Sequence, residues 1–207
     1  MTERSRLMTS RRPGSLVGLA LVVAVVVAGC GGGGGSDEAE GGATSTSAAT
    51  TEASSPPTSE DREAIERQAV SDAYLAAEAA ARAASAPPTP NPDHPEVIAT
   101  HTGPMLEQTQ ELLLGLRANG WAIRYPSDSV YREEVDSVEF DGDDVAVLEV
   151  CAVDDGERFV VETGDVLASG VGTVAMTAAM RRVDGVWKLA ERREEHRWEG
   201  EAGCAVD

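Results

Sequence analysis

The chain of 207 residues has little positive charge and few aromatic side chains. It contains 17 Lys and Arg residues against 36 Asp and Glu residues, which gives a formal charge of −19, and 4% of its residues are aromatic. A protein that binds DNA or RNA needs a basic surface to meet the phosphate backbone, so this balance argues against a nucleic acid partner. The same acidity argues against electrostatic attachment to an anionic membrane surface. The length predicts one ordinary domain with appended segments.

The sequence also lacks the short motifs that mark common enzymes. It contains no P-loop, no GxSxG, no HExxH and no dinucleotide-binding fingerprint. The segment Asp141-Gly142-Asp143-Asp144 is acidic enough for calcium, but the EF-hand acid at the fifth position and glycine at the sixth are missing. Tight turns use Asp and Gly for backbone reasons alone, which favours a turn at this point. We therefore expect no metal and no cofactor.

No apolar run in the sequence reaches the roughly 20 residues that a membrane-spanning helix requires. The run at residues 16–28 has 13 residues, follows four arginines and ends in Val27-Ala28-Gly29-Cys30. A basic start, a short apolar centre and small residues at its end are typical of a secretory signal peptide, here residues 1–29. The cysteine directly after the small residues resembles the lipobox of bacterial lipoproteins.

The lipobox resemblance implies that the chain is cut before Cys30 and that the thiol of Cys30 carries lipid such as palmitate. Two or three acyl chains then hold the protein on the extracytoplasmic face of the cell membrane, because one chain alone binds only marginally. Residues 31–59 are rich in Gly, Ser, Thr and Ala and have almost no large apolar side chains. Such a segment cannot offset the entropy of ordering. We therefore predict that residues 30–59 are the lipidated cysteine and a disordered tether, and that residues 60–207 are the folded domain.

Three helices are predicted at the start of the domain. The first begins at Thr58 or Ser59, where Thr58 forms a capping-box pattern with Asp61, and runs to about residue 86. Asp93 caps a short helix that ends at residue 100, and Gly103-Pro104 opens a third helix that Asn119-Gly120 stops. The inner face of the first helix is predicted to carry Ile65, Ala69, Ala73, Ala76 and Ala80, with Val70, Tyr74 and Ala77 beside them. That of the third is predicted to carry Met105, Thr109, Leu112, Leu113 and Leu116.

Beyond residue 120 the sequence becomes rich in Val and is divided by turns. Strands are predicted near residues 121–126, 129–140, 144–153, 157–167, 171–183 and 186–198. Asp184-Gly185 between two valines is the strongest hairpin signal, and Asp141-Gly142 and Asp154-Asp155-Gly156 mark two more. Helices first and an antiparallel meander second predict an α+β fold, in which one strongly curved sheet folds around the helices.

This order of elements resembles the nuclear transport factor 2-like (SnoaL-like) cone fold. The ending Val183-Asp184-Gly185-Val186-Trp187 is similar to a hairpin that is common at the end of that fold. The resemblance covers about residues 60–200 and implies a cone-like sheet around a cavity. The same fold hosts isomerases, dehydratases, transport factors and binding modules, so it does not by itself imply an activity.

Two cysteines remain if Cys30 is lipidated. An exported chain with such a pair is expected to join them, which predicts a disulfide between Cys151 and Cys204. A catalytic thiol or a metal pair is the alternative, but the sequence has no CxxC and no His cluster to support either.

Three histidines are candidates for acid–base chemistry, which the resemblance places in a cavity of the active cone-fold proteins. His94 lies between prolines in a predicted loop, and His196 lies in a charged strand that we expect to face solvent. His101 ends a short helix and is the best candidate, with Asp136 as its acid. A histidine at a helix C-terminus more often complements the helix dipole.

A cavity mouth is also indicated by aromatic and acidic residues. The candidates for ligand binding are Tyr74, Trp121, Tyr125 and Tyr131, together with Glu133, Glu134 or Asp136. A core with a few amphipathic edges explains the same aromatic residues. Residues 145–153 are apolar on both faces apart from Glu149, so we expect both faces to be covered. Glu149 is expected either to lie at a cavity or, the alternative we favour, to pair with an arginine such as Arg132 or Arg181.

The first hypothesis for function is a non-catalytic envelope lipoprotein whose domain binds an apolar small molecule or a partner protein. The alternative is a cone-fold isomerase or dehydratase-like enzyme that uses His101 and Asp136. A third is an accessory role in which the domain docks against another envelope protein or a second copy of itself through the sheet.

Overall fold

A computed structural model describes residues 58–204 of the chain. The predicted signal peptide, Cys30 and nearly all of the tether lie outside these residues, so lipidation and the domain boundaries stay predictions. The helices are α1 Ser59–Ser85, α2 Pro95–Thr100 and α3 Gly103–Ala118. The strands are β1 Trp121–Arg124, β2 Arg132–Phe140, β3 Val145–Asp154, β4 Glu157–Val160, β5 Val166–Ala168, β6 Gly172–Val183 and β7 Val186–Glu199.

The capping box at the start of α1 forms as the sequence predicts. The amide of Asp61 donates to Thr58 Oγ1 at 3.2 Å, and the amide of Thr58 donates to Asp61 Oδ2 at 2.9 Å. The predicted inner face is wrong in part, because Ile65 is 64% exposed and Ala69 and Ala76 are also exposed. Ala80 is buried as predicted, together with Val70, Tyr74 and Ala77. Because alanines lie on every side of α1, the sequence does not distinguish its apolar face clearly. The larger side chains, Val70 and Tyr74, determine which face packs on the sheet.

The two shorter helices also follow the sequence, with two corrections. His94, not Asp93, is the N-cap of α2, and it makes no capping hydrogen bond through its side chain. Helix α3 ends at Ala118, and Asn119 is its C-cap. The next residue, Gly120, has φ +68°, the left-handed conformation that favours glycine. Leu112 is 55% exposed, although the other predicted inner residues of α3 are buried.

The strands confirm an α+β fold with antiparallel pairing, but they form two sheets. One has the order β2-β3-β6-β7 and the other has the order β1-β4-β5. The predicted strand at 157–167 is divided into β4 and β5, and the turn at 154–156 leads from one sheet to the other, so it is not a hairpin. Asp184 with φ 53° and Gly185 with φ 80° form the predicted hairpin turn between β6 and β7.

Irregular pairing curves the larger sheet around the helices. The register shifts between Val135 and Ser137 in β2, and twice along the pairing of β6 with β7. Extra residues of this kind bend a strand and increase its twist. The concave face packs on α1 through the main core, whose buried members are Val70, Tyr74, Ala77, Met105, Ala146, Leu148, Val150, Ala178, Met180, Trp187 and Leu189.

The outer face of β3 is less covered than the sequence predicts. Val147 is 36% exposed, and Glu149 is exposed and accepts a hydrogen bond from Ser137 at 3.1 Å. The expected pairing of Glu149 with an arginine is therefore wrong. Glu149 has the polar residues Ser137 and Thr177 opposite it on the adjacent strands, so this part of the sheet can face water without a second cover.

Cys151 and Cys204 form a disulfide, with their Cα atoms 5.9 Å apart. Cys151 belongs to β3 and Cys204 follows β7, so the bond holds the segment after the last strand against the sheet. Among the described residues, no helix is both long and apolar enough to cross a membrane.

Candidate functional site

A cleft of about 550 Å³ lies between α1, α3 and the concave face of the larger sheet. Pairing across the four strands aligns Glu133, Ala152, Val174 and Arg197 in one row, and all four line the cleft. Its apolar wall is formed by Met105, Leu112, Leu113, Ile123, Val174 and Met176. Its polar wall is formed by Glu78, Arg82, Tyr125, Tyr131, Glu133, Asp154, Arg192, Glu194 and Arg197.

Glu133 is the centre of one polar network in the cleft. Tyr74 Oη donates to Glu133 Oε1 at 2.6 Å, and Tyr131 Oη donates to Glu133 Oε2 at 2.6 Å. Arg82 hydrogen-bonds to the Tyr131 hydroxyl, lies 4.1 Å from the centre of its ring and comes within 3.6 Å of Glu133 Oε2. The Glu133 side chain is only 4% exposed, so these partners replace water around a buried carboxylate.

The electrostatics of this network keep both tyrosines protonated. Burial and the carboxylates of Glu78 and Glu133 raise the pKa of Tyr74 well above its ordinary value. Burial and Glu133 likewise raise the pKa of Tyr131. The two phenols therefore act as hydrogen-bond donors to Glu133, and neither is poised to take up a proton as a base.

Glu78 and Arg192 form the second polar pair of the cleft. Arg192 Nη1 donates to both carboxylate oxygens of Glu78 at 2.7 Å. Burial raises the pKa of Glu78, and the adjacent Arg192 guanidinium opposes that rise. The pair joins α1 to β7, so it supports the frame of the cleft as well as its charge balance.

The turn after β3 places the tyrosines at the mouth of the cleft. Buried Asp155 accepts from Ser129 Oγ at 2.6 Å and from the Val130 amide at 2.8 Å, which fixes the loop that leads to Tyr131. The rings of Tyr125 and Tyr131 meet edge to face, with centroids 5.2 Å apart. A Cβ at Gly156 would lie 3.3 Å from Tyr125 Cζ, so glycine permits this close approach.

Asp154 lies beside Tyr125 at the same mouth. Its Oδ1 accepts from the Gly156 amide at 3.1 Å, and the residue is exposed. Burial and the Asp154 carboxylate raise the pKa of Tyr125. The last pair of the polar wall is Arg197 with Glu194, which meet through two hydrogen bonds of 3.1 and 2.6 Å.

The structure brings together three of the four aromatic residues that the sequence suggests for ligand binding. Tyr125 and Tyr131 line the cleft, and Tyr74 supports it through Glu133. Trp121 is not among the lining residues; it lies on β1, where Arg158 approaches to 5.1 Å from the centre of its ring. Of the three acids considered with them, only Glu133 faces the cleft, whereas Glu134 and Asp136 are exposed.

The structure does not bring His101 and Asp136 together. His101 is 1% exposed and pairs with Leu189 of β7, whereas Asp136 lies at the bulge of β2. Strands β2 and β7 are the opposite edges of a four-stranded sheet. At the usual spacing between neighbouring strands, these two strands are about 14 Å apart across the sheet. Neither residue lines the cleft, so these side chains do not form an acid–base pair there.

The surroundings of the candidate residues differ in charge and in burial. Burial lowers the pKa of His101, whose Nδ1 lies 3.0 Å from Thr100 Oγ1. Partial burial and the carboxylates of Glu134 and Glu149 raise the pKa of Asp136. His196 is exposed on β7, with its ring tilted against that of Trp198 and the ring centroids 5.4 Å apart, which agrees with the expected solvent-facing strand.

Sequence reasoning missed the charged residues that complete the cleft. Tyr74, Glu78 and Arg82 are spaced by four residues and therefore lie on one face of α1, a signal that the alanine pattern obscured. Arg192 and Asp155 carried no comparable signal, because their partners are distant in sequence. No group of three His, Cys, Asp or Glu residues within 58–204 is arranged to hold a metal ion.

No family model matches the chain, and no curated protein matches its sequence. Among solved structures, the chain is similar to the intermembrane space region of the chloroplast protein ARC6, with a TM-score of 0.51 and 17% sequence identity over 67% of this chain and 98% of that one. It is also similar to a ketosteroid isomerase-like protein from Erwinia carotovora atroseptica, with a TM-score of 0.41 and 18% identity over 61% of this chain and 92% of that one.

These likenesses concern the fold alone, because both sequence identities are low. The second TM-score is too low to add an argument. The α+β fold rests on the helices and strands described above, and membership of the nuclear transport factor 2-like family remains a prediction.

Proposed function

We propose that the protein is an exported, lipid-anchored binding domain of a bacterial cell envelope, and that its cleft binds a small molecule with an apolar body. The observation that carries this proposal is the cleft itself, which is lined both by apolar side chains and by charged side chains held in ion pairs. Its volume of about 550 Å³ falls within the range of about 300 to 1,000 Å³ that small-molecule sites occupy.

The pairing inside the cleft favours binding over catalysis. Glu133 and Glu78 each have arginine and hydrogen-bond partners, and the phenols of Tyr74 and Tyr131 already donate to Glu133. A general base needs a free lone pair and a pKa near the working pH. Groups that are held in internal pairs instead give the cleft a fixed shape, which suits recognition.

The anchor is proposed from the sequence around Cys30. Lipidation there would place the domain outside the cytoplasm, on the end of a tether of about 30 residues. The disulfide between Cys151 and Cys204 is compatible with an oxidising compartment.

Native mass spectrometry of the full protein, released from membranes of an expressing bacterium, tests the binding proposal. We expect a bound small molecule on the wild-type protein. Ala81→Trp should abolish this adduct, because Ala81 lines the cleft and the indole would fill it. Ala83→Trp is the matched control, since Ala83 is exposed on the same helix and should leave the adduct in place. An adduct that survives Ala81→Trp, or a wild-type protein that binds nothing, would overturn the proposal.

The anchor is tested separately by Cys30→Ser. We expect this variant to lose labelling by radioactive palmitate and to leave the membrane fraction or stay unprocessed, because serine offers no thiol for lipidation. Cys151→Ser and Cys204→Ser should keep the label. A label that persists in Cys30→Ser contradicts lipidation without affecting the test of the cleft.

A further inference from the structure

We infer that the cleft selects amphipathic organic cations, whose positively charged end lies at Asp154 beside Tyr125. This inference rests on the proposed binding function and adds the chemical class of the ligand. It follows from how the charges of the polar wall are paired, where the remaining charge lies and what surrounds it.

The three arginines that line the cleft are already paired. Each has its own glutamate, which together form the ion pairs Arg82–Glu133, Arg192–Glu78 and Arg197–Glu194. An anionic ligand at Arg82 or Arg192 would have to displace Glu133 or Glu78, whose side chains are 4% and 10% exposed, and it would leave a buried negative charge without its partner. Removing the partner of a buried carboxylate is strongly unfavourable, whereas the exposed Arg197–Glu194 pair adds little to this barrier. The cleft therefore disfavours carboxylate-ended ligands such as fatty acids.

Asp154 is the carboxylate of the polar wall that these three ion pairs leave without an arginine partner. Within residues 58–204 it has no arginine or lysine within ion-pair distance. The pKa of Arg197 is raised mainly by its hydrogen bonds to Glu194 and, to a smaller extent, by the charge of Asp154. The polar wall thus holds four carboxylates against three guanidiniums. The uncompensated charge is negative, and it is accessible because Asp154 is exposed.

The position of Asp154 fits the end of an elongated ligand. A second cleft of about 890 Å³ shares Leu112, Ile123, Tyr125, Asp154 and Arg197 with the first, so Asp154 lies where the two clefts join. A ligand can therefore place its apolar body against Met105 and Met176 of the first cleft while its end reaches Asp154.

Aromatic rings next to Asp154 suit a cation. Tyr125 lines both clefts together with Asp154 and packs edge to face on Tyr131. The ring face of Tyr131 is already occupied by Arg82, 4.1 Å from the ring centre, so Tyr125 is the aromatic residue that we assign to the ligand. An ammonium group between a carboxylate and an aromatic face gains from both the ion pair and the ring quadrupole. Such a site holds an amine more strongly than an alcohol of the same length.

Three probes with the same apolar chain test this selectivity, namely octylammonium, octan-1-ol and octanoate. Each is titrated by calorimetry into the full protein in lipid nanodiscs, and the heat of titration into empty nanodiscs is subtracted. We expect octylammonium to bind about fivefold more tightly than octan-1-ol and about tenfold more tightly than octanoate.

Asp154→Asn should remove the preference for octylammonium and leave the affinity for octan-1-ol unchanged within about twofold. Asp128→Asn is the control, because Asp128 is an exposed acid in the loop between β1 and β2 and does not line either cleft. Equal binding of octanoate and octylammonium, or an unchanged preference in Asp154→Asn, overturns the inference while the proposed binding function stands. Failure of octylammonium to bind a protein that keeps its native adduct overturns the inference alone, and failure of all three probes together with absence of that adduct overturns both.

Discussion

The hydroxyl of Tyr74 donates a hydrogen bond of 2.6 Å to Glu133 Oε1 and joins the middle of α1 to β2. Tyr74 is fully buried, and the same carboxylate receives Tyr131 and the charge of Arg82. One carboxylate thus connects the first helix, a strand and the loop before that strand. This connection holds the polar wall of the cleft in place while the sheet curves around it.

Tyr74→Phe should lower the free energy of unfolding by about 1 to 2 kcal/mol. The change removes a hydrogen bond to a charged acceptor but leaves Glu133 with its other two partners, so the loss stays below that of an unpaired charge. Urea unfolding followed by circular dichroism measures it. Tyr125→Phe is the comparison, and we expect a smaller loss because Asp154, the carboxylate beside it, is exposed. Equal losses in the two variants would contradict the special role of Glu133.

Arg192→Met should destabilise the fold by about 2 kcal/mol. The substitution leaves Glu78 buried without its guanidinium, and a fully buried pair costs about 3 to 5 kcal/mol when one partner is removed. The smaller figure reflects the 34% exposure of the Arg192 side chain. The double variant Glu78→Met with Arg192→Met should recover most of the loss, because no unpaired charge remains. A double variant as unstable as Arg192→Met alone would refute this explanation.

Stability should fall as the pH drops below about 6.5, and His101 should cause part of the fall. Burial lowers the pKa of His101 in the folded state, so the unfolded chain, with its ordinary value of 6.5, takes up the proton first. The stabilisation of the fold by the neutral His101 imidazole is complete above pH 6.5, and it is lost as the pH falls toward the lowered pKa of His101 in the folded state. Thermal unfolding of wild type and His101→Gln between pH 5 and 8 measures the difference in slope. Parallel pH profiles would contradict it.

Removal of the disulfide should cost about 4 kcal/mol of stability, because the bond closes a loop of 53 residues in the unfolded chain. The double variant Cys151→Ser with Cys204→Ser, compared with wild type in guanidinium chloride, gives the value. Wild type treated with a reductant should match the double variant. A reductant without effect on wild-type stability would show that the bond is absent in solution.

Local signals in the sequence predicted the elements of the fold well. The capping box of Thr58 with Asp61, the stop at Gly120 and the turn at Asp184-Gly185 all depend on a few adjacent residues. Such signals act within one turn of the chain, and a sequence displays them directly. The α+β layout followed from their order.

The division into two sheets and the position of the polar wall could not be predicted in this way. Trp121 of β1 pairs with Val160 of β4, with β2 and β3 between them in sequence, and Arg192 bonds to Glu78 across 114 residues. These contacts depend on how the whole sheet curves. His101 and Asp136 looked suitable because each residue type can move a proton, but tertiary packing placed them at opposite edges of the sheet.

The central claim is that the cleft between α1, α3 and the sheet is a binding site. A crystal structure of the full protein with octylammonium tests it most directly. The account predicts an elongated ligand with its chain between Met105 and Met176 and its nitrogen within hydrogen-bond distance of Asp154. A cleft that holds only water while the probe lies elsewhere on the protein would contradict it.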